Sequence, residues 1–160
     1  MILAERDRLL VQLAACEYFA RQYAAARMAL EPHRDDGPHQ IEARFYDLMA
    51  TRALGADAEF VRLARDFVSR SGETAWAEDV FDALGTHFIR QGQDDDADAA
   101  FRGLLSTFPT GRFSERASWK VGWRAYRFGN SAEAAQVFER AAGSFPRSDY
   151  RPAYLYWAAR

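Results

Sequence analysis

Eight residues between Trp76 and Pro146 recur at a constant distance. Glu78, Gly85, Arg90, Gly92, Ala97, Phe101, Phe108 and Pro109 return 37 residues later as Glu115, Gly122, Arg127, Gly129, Ala134, Phe138, Phe145 and Pro146. A period of this length marks stacked helical hairpins, because a lone hairpin cannot bury its apolar face and needs neighbours on both sides.

Helix, short turn, helix is the pattern throughout. The apolar periodicity and breakers predict hairpins over about 3–30, 41–69, 75–107 and 114–144, with an unpaired helix over 152–160. Gly55, Gly92 and Gly129 fall 37 residues apart, each at the reversal inside a hairpin, where a left-handed residue ends a helix. The longest loop follows Leu30, where Pro32, Gly37 and Pro38 stop the helix. Asp94, Asp95 and Asp96, and then Ser131 and Glu133, fall at helix N-termini, where the helix dipole favours them.

The residues at fixed places in the repeat resemble the tetratricopeptide pattern: Phe81, Leu84, Gly85, Phe88, Ala97, Phe101 and Pro109 in the third hairpin, Val121, Gly122, Ala134, Phe138 and Pro146 in the fourth. The small residues Gly85, Ala97, Gly122 and Ala134 let helices approach, and Phe101 and Phe138 fill the space beside them. The fourth hairpin departs at Ser118 and Ala125, where the aromatics move one place on, to Trp119 and Tyr126. The fold class expected is all-α, a right-handed superhelix of antiparallel, tetratricopeptide-like hairpins forming one domain over 1–160.

Composition narrows the function classes. The chain is 49% hydrophobic and 28% charged, suited to a packed core, and its pI near 5.9 argues against a nucleic-acid partner. The net charge of −2 conceals an asymmetry: residues 1–111 carry 12 Arg against 19 Asp and Glu, and 112–160 carry 9 Lys and Arg against 4. No apolar run is long enough for a membrane span. Met1 to Ala4 run straight into Glu5, Arg6 and Asp7 without a signal-peptide core, and Cys16 has no internal partner for a disulfide.

A more specific likeness runs from Ala117-Ser118-Trp119-Lys120-Val121-Gly122-Trp123-Arg124-Ala125-Tyr126-Arg127 to Ser148-Asp149-Tyr150-Arg151-Pro152-Ala153-Tyr154-Leu155-Tyr156-Trp157. Over residues 76–160 the chain resembles the helical superhelix of soluble lytic murein transglycosylases. That resemblance implies a periplasmic piece of a longer chain, channelling peptidoglycan strands toward a lysozyme-like catalytic domain elsewhere in the same parent. The Glu-Ser pair and Gly-Leu-Met-Gln motif of that catalytic domain do not occur here, and Ser114-Glu115 has the reverse order. No catalysis and no cofactor are expected of this stretch.

Other groupings have simpler explanations. Asp94, Asp96 and Asp98 alternate like a calcium loop, but Ala99 and Leu105 stand where glycine and glutamate are required. His33 and His39 flank Asp35 and Asp36 without zinc-ligand spacing. His87 falls mid-helix, as a packed or surface residue.

The surface signal lies on the helix starting at Ser114. Arg112, Arg116, Lys120 and Arg124 step by four and Arg127 adds a step of three, beside a stripe of Trp119, Trp123 and Tyr126. Arg116, Trp119, Lys120, Trp123, Arg124 and Arg127 are thus the candidate binding surface, able to hold sugar faces and carboxylates or an acidic partner. The same aromatics could instead be hairpin core, and the same charges a solvated face. Two roles are open to such a scaffold: shaping peptidoglycan access, or, as a free-standing cytoplasmic adaptor, gripping a peptide of a partner protein.

Overall fold

One helix-reversing turn is used repeatedly. In a computed structural model describing residues 2–160, Gly55, Gly92 and Gly129 all adopt left-handed backbone, at φ of 77°, 68° and 77°. Gly92 donates its N–H to Ile89 and Gln93 to Phe88; Gly129 donates to Tyr126 and Asn130 to Ala125. Arg21 occupies the same place in the first hairpin, at φ 61°, with its N–H on Tyr18 and that of Gln22 on Glu17. It lies 34 residues before Gly55 and lacks the glycine signature. Since a side chain in this conformation costs about 1–2 kcal/mol and glycine's extra chain entropy offsets part of that, Arg21→Gly is expected to stabilise the fold by about 0.5–1 kcal/mol. Urea unfolding measures the gain.

The elements are α1 (Ile2–Phe19), α2 (Tyr23–Leu30), a 3-10 turn (Glu31–His33), α3 (Gln40–Ala53), α4 (Asp57–Ser71), α5 (Ala75–Arg90), α6 (Asp94–Thr107), α7 (Ser114–Arg127), α8 (Ser131–Ser144) and α9 (Arg151–Ala159). No strand occurs among the described residues. The expected hairpins stand within two residues of their predicted ends. The chain divides into two compact units, one ending at Val80 and the other beginning at Phe81.

In the first unit, α1 to α4 pack each on the next around Val11, Leu30, Leu48, Phe60 and Phe67. The segment after α2 is held from both sides. His33 Nδ1 lies 2.5 Å from Asp7 Oδ1 on α1, and Arg44 Nε donates to the Arg34 carbonyl at 2.6 Å. His33 is therefore engaged by α1 rather than by the acidic residues of its own loop.

Beneath this segment sits a charge network. Asp47, its side chain 2% exposed, accepts from Arg27 Nε at 2.9 Å and from Arg34 Nη1 at 2.8 Å. Arg27 also makes a two-pronged bond to Glu59, at 2.8 and 3.2 Å. These bonds, that to Glu59 foremost, push the Arg27 guanidinium above its ordinary pKa.

The second unit repeats one close contact. A Cβ on Gly85 would fall 2.7 Å from the Phe101 ring, and one on Gly122 would fall 2.7 Å from the Phe138 ring. Both rings are fully buried. Burying a phenyl group contributes about 1.5–3 kcal/mol, and here each ring is seated directly on helix backbone. The residues ending α6 and α8 also match, with Phe108 at φ −126°, ψ 70° and Phe145 at φ −121°, ψ 65°, an extended form suited to a residue before proline. At the start of α8 the cap is Asn130 rather than Ser131: its side chain accepts from the Glu133 N–H at 3.3 Å and donates to the Glu133 carboxylate at 2.8 Å.

Candidate functional site

The stripe on α7 divides according to what each side chain meets. Arg116 bonds to Asp82 and, at 3.1 Å, to Thr86 Oγ1, both on α5. Arg124 bonds to Asp95 on α6 and lies with its guanidinium carbon 4.7 Å from the centre of the Phe128 ring. Lys120 and Arg127 are exposed and have no charged partner among the described residues. Of the four cations of the candidate surface, two are thus bonded between helices and two, Lys120 and Arg127, stand exposed.

The aromatics divide likewise. Trp119 packs against Phe138 and Tyr154, at ring separations of 5.5 and 6.1 Å, and belongs to the core of the α7–α9 bundle. Tyr126 also packs there, 4.9 Å from Trp157. Trp123 stacks parallel to Trp119, 6.1 Å apart and 6° from coplanar, meets Trp157 edge-on at 5.1 Å, and also lines a surface groove. Tyr154 anchors this bundle, its hydroxyl donating to the Glu115 carbonyl at 3.0 Å. Burial, helped by the charge of Glu115, pushes its phenol pKa up to about 12.

That groove, about 220 Å³, runs between the start of α6 and the end of α7, with Ile89 of α5 at one edge. Lys120, Trp123, Arg124, Arg127 and Phe128 form one wall, and Asp94 and Asp98 stand opposite. Phe128 is 73% exposed and Ile89 39%. Asp98 accepts from Arg102 at 2.6 Å through one oxygen and keeps the other buried without a partner. The groove is open and smaller than the roughly 300–1,000 Å³ of pockets that enclose small molecules. It can seat one or two side chains of an extended segment, with an apolar edge at Ile89 and Phe128 and cations at Lys120 and Arg127.

Of the six residues expected on this surface, Lys120, Trp123, Arg124 and Arg127 share the groove, whereas Arg116 joins α5 and Trp119 joins the core. Ile89, Phe128 and the α6 carboxylates are the parts that the α7 pattern did not include. Their signal is the 37-residue repeat itself, which aligns α5 with α7 and places α6 between them.

No family profile matches the chain, and no curated protein does. Solved structures do. Kinesin light chain nearly identical TPR-like repeats from Podospora anserina align over 97% of this chain and 84% of theirs, with a TM-score of 0.61 and 17% identity. A crystal structure of MamA aligns over 88% of this chain and 79% of its own, with a TM-score of 0.66 and 17% identity, and another over 96% and 88% at a TM-score of 0.62 and 11% identity. These comparisons supply no link to lytic transglycosylases, and no helix among the described residues is long and apolar enough to cross a membrane. Identity this low carries fold alone: the chain has the all-helical, tetratricopeptide-like repeat fold.

Proposed function

We propose that this chain is a non-catalytic helical-repeat adaptor that holds an extended acidic segment of a partner protein in the α6–α7 groove. The observation carrying this reading is the pair of unpartnered cations, Lys120 and Arg127, set beside Trp123 and the exposed Phe128. Carboxylates of the segment meet the two cations, and an apolar side chain between them covers Phe128 and Ile89. The likeness to TPR-like repeats supports it at the level of the scaffold. A peptidoglycan-guiding role, which the sequence resemblance implies, finds less support, since Arg116 and Arg124 already face carboxylates of the same unit.

A fluorescein-labelled peptide alternating Glu and Leu is a suitable probe, followed by anisotropy. Lys120→Glu combined with Arg127→Glu is expected to weaken binding about tenfold or more, and binding to the unaltered protein is expected to fall as salt rises. Equal affinity for both proteins would overturn the assignment of the groove. Cosedimentation with purified sacculi that is lost in Arg116→Gln, Arg124→Gln would favour the wall-guiding role instead.

A further inference from the structure

Helix α1 is apolar on two opposite faces, as a helix covered on both sides is. Its inner face, with Val11, Ala14 and Ala15, is buried against the first unit. Its outer face presents Leu9 (59% exposed) and Leu13 (61%), continued by the exposed Cys16 and Ala20 and flanked by Leu10 (40%). At about 100° of rotation per residue, Leu9, Leu13, Cys16 and Ala20 fall in one stripe opposite the core.

The charges beside this stripe indicate what covers it. Arg6 and Glu17 lie on the same flank, 11 residues and about 16 Å apart along the axis. Neither has a charged partner among the described residues. An antiparallel helix related by a two-fold axis near residues 11 and 12 brings like flanks together with reversed direction. Arg6 then meets Glu17 of the second copy, twice over, while Leu9, Leu10 and Leu13 interleave with their counterparts across the axis. A parallel pairing leaves Glu17 unopposed. The stripe is self-complementary in the sense that a two-fold interface requires.

We infer that the outer face of α1 binds a second copy of this chain as an antiparallel helix pair. Three turns of one helix bury less than the roughly 800 Å² per partner of a standard interface, so the pair is weak, with a dissociation constant on the order of 10–100 μM.

Sedimentation equilibrium across a concentration series tests this. The unaltered chain is expected to pass from monomer to dimer in that range, and Leu9→Glu with Leu13→Glu to remain monomeric with unchanged helical circular dichroism, since both positions are solvent-facing. Arg6→Glu alone should weaken the dimer about five- to tenfold through loss of two exposed ion pairs, and adding Glu17→Arg should restore it. A chain monomeric up to several hundred micromolar, a dimer indifferent to the leucine changes, or a charge swap without rescue would overturn the inference. So would an intermolecular Cys16 disulfide on mild oxidation, because only the parallel pairing sets Cys16 against its own copy.

Discussion

Gly122→Ala is expected to destabilise the second unit by about 3 kcal/mol, toward the upper end of what overpacking costs. The added methyl would fall 2.7 Å from two atoms of the Phe138 ring, a separation at which something must move. Phe138 has little room to yield, because it is fully buried and also touches Trp119 and Tyr154. Alanine's better helix propensity returns only about 1 kcal/mol. Shrinking the ring tests the cause. Gly122→Ala with Phe138→Leu should be less destabilised than the sum of the single changes, a coupling that a double-mutant cycle in urea would record. Additive losses would mean that the glycine serves helix backbone rather than ring contact.

The same contact explains why the fold was legible from the residues. A glycine followed after 16 residues by phenylalanine, at Gly85 and Phe101 and again at Gly122 and Phe138, is short-range information: both partners belong to one hairpin. The turns at Gly55, Gly92 and Gly129 are equally local, since only glycine enters that conformation without strain. Arg21 shows where this logic stops. Its turn has the same hydrogen bonds, yet the residue conceals it, because packing of α1 on α2 overrides a local preference worth about 1–2 kcal/mol.

The site was legible only by halves. Steps of four along α7 foretell a cationic row, but they cannot separate Arg116 and Arg124 from Lys120 and Arg127. That separation depends on Asp82 and Asp95, which lie 34 and 29 residues away and meet α7 only after α5 and α6 have packed. The stripe of Trp119, Trp123 and Tyr126 is ambiguous for a related reason. Its outcome depends on α9, whose Tyr154 and Trp157 draw Trp119 and Tyr126 inward and leave Trp123 with one face in the groove.

Arg27→Met is expected to cost the first unit about 3 kcal/mol, more than the removal of any exposed ion pair. Asp47 reads in sequence as an ordinary helical carboxylate. In the folded chain it is buried, with Arg27 and Arg34 reaching it from 20 and 13 residues before. Removing Arg27 leaves that carboxylate desolvated with one guanidinium in place of two, and it also strips Glu59 of both its bonds. Methionine keeps much of the side-chain volume, so the loss reports charge and hydrogen bonding rather than a cavity. The double change Arg27→Met, Asp47→Leu separates two causes. If the cost of the single change comes from stranding a buried carboxylate, removing that carboxylate should return part of the stability; if it comes from lost packing around Arg27, the double variant should be no more stable than Arg27→Met. Thermal unfolding of the two variants beside the parent chain distinguishes these outcomes.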